Sequence, residues 1–282
     1  MNDAASATMQ DVRGSEDLAA SVVIPLYNEE QILRQNLGIL AACFDRVVGA
    51  GKWHFILVEN GSTDSTSHLA DAAAKRWPPS RAIHLKESNY GTALKTGLRA
   101  AAAKWVYIVD IEQWDLPFIA WSWRERASYD VLMASKRADP SISRQQYYRR
   151  LLSCGLNGLL QLFVQFTGTD THGPKLLARE ALKPIIDACE LDRGQYDTEL
   201  ILSAVRSGKR IVEVPFPYRE MRPNRNWMVK KIVWNLIALK RLIEVLKKVP
   251  SEGPQRYYRL SREDVLEGCR DILPEIAELD NV

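Results

Sequence analysis

Trp105-Val106-Tyr107-Ile108-Val109-Asp110-Ile111-Glu112 runs apolar and β-rich for five residues and then opens into two carboxylates. A buried strand ending in oxygen ligands offers a place for a hard cation and its phosphate. A nucleotide diphosphate brings several negative oxygens together, and a bridging Mg²⁺ or Mn²⁺ held by one or two carboxylates relieves their repulsion. Residues at i and i+2 of an extended segment lie on the same side, so Asp110 and Glu112 can face one ion. A solvated turn after a strand is the alternative, and the surrounding sequence decides between them.

On both sides of this stretch, β-rich runs alternate with helical patterns. Ser21–Leu26 reads as a strand, Glu29–Val48 as a helix, Trp53–Val58 as a strand and Thr63–Arg76 as a helix; Ala82–Leu85, Thr92–Ala103 and Trp105–Asp110 continue the alternation. Repeated βαβ units with right-handed crossovers give a parallel sheet with helices on both faces, and ligands then bind at the carboxyl ends of the strands. Those ends carry Pro25-Leu26-Tyr27-Asn28-Glu29-Glu30, Glu59-Asn60-Gly61-Ser62-Thr63-Asp64, Asn89-Tyr90-Gly91 before the third helix, and Asp110 with Glu112. Each has a local alternative: Asn28 and Glu29 can start a helix, and Gly61 to Asp64 makes a turn and N-cap with Asp64 complementing the helix dipole.

The 282 residues, 46% hydrophobic and 26% charged, suffice for one large domain with an appendage. Cys43, Cys154, Cys189 and Cys269 are far apart and form no CxxC pair, which reads as reduced core cysteines and excludes a disulfide framework. The four scattered histidines include no HExxH, against a zinc hydrolase. The first 20 residues lack a basic region followed by an apolar one and read as a flexible tail. The uncharged run Leu151–Thr169 is interrupted by polar residues and has helical apolar spacing, which suits an amphipathic helix better than a membrane span. Residues 218–250 carry nine basic and two acidic residues, whereas 251–282 carry eight acidic and four basic. A basic run of that kind fits phosphates or an anionic membrane surface, or else a solvated helix face.

The strand-end motifs together resemble glycosyltransferase family 2, and within it the dolichyl-phosphate mannose synthase and polyprenyl-phosphate glycosyltransferase group. The resemblance spans about residues 20 to 240. It implies an α/β GT-A fold, Rossmann-like with a mostly parallel sheet and helices on both faces, plus C-terminal helices. It also implies a nucleotide-sugar donor such as GDP-mannose or a UDP-sugar, a Mg²⁺ or Mn²⁺ cofactor, and inversion at the anomeric carbon. By that resemblance Pro25, Tyr27, Glu29, Glu59, Asn89, Gly91 and Asp110 line the donor site, and Asp110 and Glu112 match the metal-binding Asp-x-Asp. Ala134-Ser135-Lys136-Arg137 and Tyr148-Arg149-Arg150-Leu151-Leu152-Ser153 resemble segments that hold an acceptor phosphate, so Lys136, Arg137, Arg149, Arg150, Ser153 and Lys175 form the expected cradle. For Arg149 and Arg150 a plain helix surface is the competing reading. Asp170, in Asp170-Thr171-His172-Gly173-Pro174-Lys175, sits by resemblance near the acceptor nucleophile; His172 reads as structural, and Glu199 is a further position of interest.

A lipid monophosphate is already an anion and needs no base. The catalytic work expected of Arg149 and Arg150 is then positioning and charge stabilisation. A hydroxyl acceptor requires a base, and Asp170 is the candidate. The expected organisation is a tail over 1–20, a catalytic domain over 21–220, a basic amphipathic helical segment over 221–250 and an acidic helical segment over 251–282. The basic segment suits peripheral contact with an anionic membrane at the cytoplasmic face, and no nucleic-acid partner is expected. Departures from the family pattern are Glu59-Asn60 for a pair of aspartates, Glu112 for the second aspartate, Trp114 after the metal motif and a shortened Asp170 segment. A catalytically weak homologue acting as a nucleotide- or membrane-binding scaffold is the second reading.

Overall fold

The computed structural model describes residues 18–142, 166–217 and 240–281. Strands β1 (Ala20–Leu26), β2 (Trp53–Asn60), β3 (Arg81–Leu85), β4 (Trp105–Ile108), β5 (Val131–Ser135), β6 (Lys175–Ala178), β7 (Arg210–Pro215) and β8 (Arg256–Arg259) form one sheet in the order β3-β2-β1-β4-β6-β5-β7-β8. All pairings are parallel except those of β6, which runs antiparallel to both β4 and β5. The expected mostly parallel α/β sheet is therefore present, with one reversed strand at its centre.

The helices are α1 (Leu33–Phe44), α2 (Thr66–Arg76), α3 (Tyr90–Ala100), α4 (Leu116–Glu125), α5 (Arg179–Ala188), α6 (Tyr196–Arg206), α7 (Arg262–Gly268) and α8 (Leu273–Ala277). The central strands are buried on both faces, which is why they read as near-continuous apolar runs. Val22, Ile24, Leu26, Phe55 and Leu57 point into a core with α1, α2, α4, α7 and α8. Val23, Ile56, Val58, Val106 and Ile108 point into a second core with α3, α5, α6 and the helical residues 240–247. Helix α3 lies close on the sheet because Gly97 has no Cβ; one would sit 3.0 Å from Val58 Cγ2 and overlap Val23.

Several boundaries differ from expectation for local reasons. Helix α1 starts at Leu33, not Glu29, because Asn28 adopts a left-handed φ of 56° and ties β1 to the β2 loop. Past Phe44 the chain winds one π turn over Asp45–Gly49. The acidic C-terminal stretch is not purely helical: β8 adds to β7 before a Ser261/Asp264 capping box opens α7. Pro274 marks the start of α8, so the helical part of the expected 251–282 segment is broken in two. Arg262 pairs with the α4 N-cap Asp115, one contact being 2.8 Å, and Arg124 of α4 pairs with Asp271, so the C-terminal helices dock on α4.

Cys43, Cys189 and Cys269 are free and buried, as core cysteines should be. No helix among the described residues is long and apolar enough to cross a membrane. Cys154, most of the uncharged run Leu151–Thr169 and most of the basic segment 221–250 lie outside the described residues.

Candidate active site

The carboxyl ends of β2, β1 and β4 lie side by side, because Leu26 pairs with Glu59 and Val23 with Ile108 in parallel register. Neighbouring strands are about 5 Å apart, so the ends of β2 and β4 flank β1 within about 10 Å of each other. The first two ends are stapled together. Asn28 N–H donates to Ser62 Oγ at 3.1 Å, Thr63 N–H donates to Asn28 Oδ1 at 2.8 Å, and Glu29 N–H donates to Thr66 Oγ1 at 2.7 Å. Asp64 accepts from Thr66 N–H and Glu30 N–H, so it closes the turn and secures the start of α2. Tyr27 stands out of the crevice rim at 43% exposure, Pro25 is half-buried in β1, and Glu29 is buried behind them.

Glu59 is buried at the end of β2, with Ser62 N–H donating to Oε1 at 2.5 Å. Next to it, Asn60 Oδ1 accepts from Asn89 N–H at 2.7 Å. Asn89 caps α3 by accepting from Thr92 N–H at 3.2 Å, and the same oxygen accepts from Arg193 N–H at 2.8 Å. Gly91 has a structural reason to lack a side chain: a Cβ would stand 2.6 Å from the Asp192 carbonyl carbon and overlap Arg193. The close approach there is to the 192–193 backbone.

Beyond β4, Ile111 is buried while Asp110 is exposed and Glu112 half-buried. The turn is held by Glu112 N–H donating to Asp110 Oδ1 at 3.0 Å and Gln113 N–H donating to Asp110 O at 3.0 Å. Two hard carboxylates on one turn suit Mg²⁺ or Mn²⁺. Among the described residues no group of three or more His, Cys, Asp or Glu is arranged to hold a metal, so a cation at this turn draws its other ligands from elsewhere. Burial first, then the charges of Asp197 and Asp110, hold the Tyr90 hydroxyl well above the usual tyrosine range, which sets the start of α3 within electrostatic reach of Asp110.

The reversed β6 explains how Asp170 joins these ends. Because β6 is antiparallel, the loop before it emerges at the sheet edge where β4 and β5 finish. That loop is anchored in the sheet by Glu213 of β7, fully buried, which accepts from Thr169 Oγ1 at 2.6 Å and Asp170 N–H at 3.1 Å. Ser135 Oγ, 2.7 Å from Thr169 Oγ1, binds the end of β5 to the same loop. Asp170 is 3% exposed; its Oδ1 accepts from Thr171 N–H at 2.8 Å and His172 N–H at 3.2 Å, while buried Oδ2 has no hydrogen-bond partner among the described residues. Burial opposes its ionisation, but His172, Lys136 and Arg137 outweigh it and hold the carboxyl well below the usual range. Arg137 also reaches Thr169 O at 3.3 Å, so Lys136, Arg137 and Asp170 are brought together.

Lys175 corrects the expectation of a phosphate ligand. Its side chain is fully buried, with Nζ 3.1 Å from Asp197 Oδ1 and donating to Gly173 O at 2.7 Å, so its charge is spent inside the protein. Glu199 is also internal, accepting from Glu190 N–H and Leu191 N–H. His172, expected to be structural, is exposed, with Nε2 2.9 Å from Gly194 O and Nδ1 3.8 Å from Asp170 Oδ1. Arg149, Arg150 and Ser153 lie outside the described residues. Two polar residues at this edge escaped the sequence reading. Asp197 stands at the first turn of α6, and His84 is the strand partner of Glu59; aligning β3 against β2 by their ends is the signal that finds the second.

Residues 21–112 match Glycosyl transferase family 2. Glycosyltransferase AglD of Haloferax volcanii is 25% identical over 224 residues, covering 76% of this chain and 35% of the relative. A dolichyl-phosphate beta-glucosyltransferase of Drosophila melanogaster is 26% identical over 236 residues, covering 76% of this chain and 71% of the relative. The chain thus spans about a third of the first relative's length and most of the second's. Glucosyl-3-phosphoglycerate synthase from Mycobacterium tuberculosis, solved with Mn²⁺, uridine diphosphate and phosphoglyceric acid, superposes with a TM-score of 0.57 at 18% identity over 87% of this chain and 84% of that one, a likeness of fold. The motif-bearing strand ends of β1, β2 and β4, gathered at one sheet edge, fall within the stretch that is similar to glycosyltransferase family 2.

Proposed function

We propose that the chain is an inverting glycosyltransferase that moves a hexose from a guanosine- or uridine-diphosphate sugar to a polyprenyl phosphate. The observation that carries this reading is the gathering of Glu29, Glu59, Asn89 and Asp110 at adjacent strand ends, with Asp170 delivered to the same edge by a reversed strand. The polyprenyl-type acceptor is supported by relatives named as dolichyl-phosphate and undecaprenyl-phosphate sugar transferases.

In this reading Pro25, Tyr27, Glu29, Glu59, Asn89 and Gly91 form the donor side. Asp110 and Glu112 would hold a Mg²⁺ or Mn²⁺, which supplies charge neutralisation for the departing diphosphate. Lys136 and Arg137, with Arg149, Arg150 and Ser153, hold the acceptor phosphate by charge-assisted hydrogen bonds. Asp170 is held ionised by its cationic neighbours, which makes it a weak base. That suits an acceptor already ionised and disfavours a hydroxyl. Asp170 then acts by fixing Lys136 and Arg137, and the reaction relies on positioning two anionic substrates. The basic run over 218–250 supports peripheral attachment to an anionic membrane at the cytoplasmic face.

Transfer of labelled sugar from GDP- and UDP-sugars into an organic-extractable product, with polyprenyl phosphate in vesicles and Mg²⁺ or Mn²⁺, tests the proposal. Lipid-borne label with release of nucleoside diphosphate is expected. Label passing only to hydroxyl acceptors, or nucleotide binding with no turnover on any donor, overturns it.

A further inference from the structure

The parallel pairing of β2 with β3 sets His84 directly beside Glu59. The imidazole lies between two carboxylates: Nε2 is 2.9 Å from Asp71 Oδ1 of α2, and Nδ1 is 3.4 Å from Glu59 Oε2. Ser67, one turn before Asp71 on α2, places Oγ 3.2 Å from Nδ1. These are the groups that face the ring from β2 and α2. The Glu59 carboxylate is gripped at both ends, by Ser62 N–H on Oε1 and by His84 on Oε2.

Neutral imidazole has one N–H, and two carboxylates each ask for a donor. Only the imidazolium serves both. When the ring loses a proton, the shorter contact to Asp71 keeps its N–H, and the lone pair on Nδ1 turns toward Glu59. The hydrogen bond to Asp71 is the largest influence holding His84 above its ordinary pKa, partly opposed by burial and reinforced by Glu59.

We infer that His84 is a positioning residue for the donor, an imidazolium that fixes Glu59 at the nucleotide end of the crevice and so makes nucleotide affinity depend on the charge of the ring. This rests on the reading of Glu59 as a donor-site residue. Affinity for a nucleoside diphosphate falls as pH rises through the His84 ionisation. Linkage is reciprocal, so a tenfold preference for the charged ring means that bound nucleotide raises the His84 pKa by about one unit.

The test is calorimetric titration of the whole chain with UDP and GDP in Mg²⁺ from about pH 6 to about pH 8.5, alongside NMR titration of the His84 ring with and without nucleotide. Relative to His84→Gln, whose profile records the nucleotide's own ionisation, the unmodified chain should lose about tenfold in affinity across that range, and its ring should titrate about one unit higher when nucleotide is bound. Asp71→Asn leaves Glu59 in place and should move the break to lower pH. Matched thermal melts establish that the variants fold. Identical pH profiles for the unmodified chain and His84→Gln, a ring midpoint indifferent to nucleotide, or an unmoved break in Asp71→Asn overturns the inference while leaving the donor site standing. Failure of the unmodified chain to bind either nucleotide at any pH overturns the donor-site reading and this inference with it.

Discussion

Lys175 and Asp197 form an ion pair sealed from solvent: Nζ lies 3.1 Å from Oδ1, and neither side chain has exposed surface. Tyr90 donates its hydroxyl to the other oxygen of Asp197 at 3.3 Å, so the pair joins β6, α6 and the start of α3 beneath the crevice. A buried pair is weak evidence of net stability, but breaking one side of it is costly because the other charge stays desolvated. Lys175→Met should therefore destabilise the fold by about 3 to 5 kcal/mol in urea denaturation. The double variant Lys175→Met with Asp197→Leu should recover most of that loss. A single variant as stable as the parent would show that the pair is not a structural tie.

Asp110 is exposed at the end of β4 and accepts from Glu112 N–H, and an asparagine there retains an oxygen for that bond. Asp110→Asn should therefore keep the turn while removing a charged ligand. Binding of a nucleoside diphosphate should lose its Mg²⁺ or Mn²⁺ dependence and weaken by about tenfold or more, equivalent to about 1.4 kcal/mol. Calorimetry with metal and with EDTA checks this; binding by Asp110→Asn that still collapses on chelation would place the cation elsewhere.

Most of the fold was legible because periodicity reports burial. Val22 to Leu26 and Phe55 to Val58 read as strands since both of their faces are covered. The strand ends were legible as a set, since parallel topology brings them together regardless of local detail. What stayed hidden depended on partners distant in sequence. The reversal of β6 arises from its insertion between β4 and β5, and four residues from Lys175 to Ala178 carry no mark of direction. Lys175 looks like any basic residue in a loop motif until Asp197 is placed against it. Arg256-Tyr257-Tyr258-Arg259 is too short to declare itself against an acidic helical background, and it becomes a strand by docking on β7. Gly91 reads as a ligand approach, yet the backbone it admits is that of Asp192 and Arg193.

Asp170 discriminates between acceptor classes. Its carboxyl is held below the usual range, burial notwithstanding, by His172, Lys136 and Arg137, so it is ionised throughout the working pH range. With a phosphate acceptor, Asp170→Asn should lower kcat by less than about tenfold, since no proton is taken up, and leave the pH profile of kcat unchanged in shape. A fall of about a thousandfold or more would instead assign proton abstraction to this residue. Steady-state transfer kinetics from about pH 6 to about pH 9 separate the two outcomes.

His54 provides a pH signature of folding independent of any ligand. It is buried in β2, with Nε2 2.8 Å from Ser21 Oγ, while Ser21 Oγ accepts from Ala103 N–H at 3.2 Å. Burial, aided by the charge of Arg81, pushes its pKa down from 6.5 to about 4. The unfolded chain therefore takes up a proton below about pH 6.5 that the folded chain refuses until about pH 4. The stability contributed by neutral His54 is fully present above that window and falls as pH drops through it, by on the order of 3 kcal/mol. The raised His84 has the opposite sign, its contribution being full below about pH 6.5 and lost on going up. Urea denaturation at a series of pH values should thus show the parent losing stability between about pH 6.5 and about pH 4 faster than His54→Gln, by up to one proton's worth of slope. Parallel curves for the two would mean that His54 titrates alike in the folded and unfolded chain.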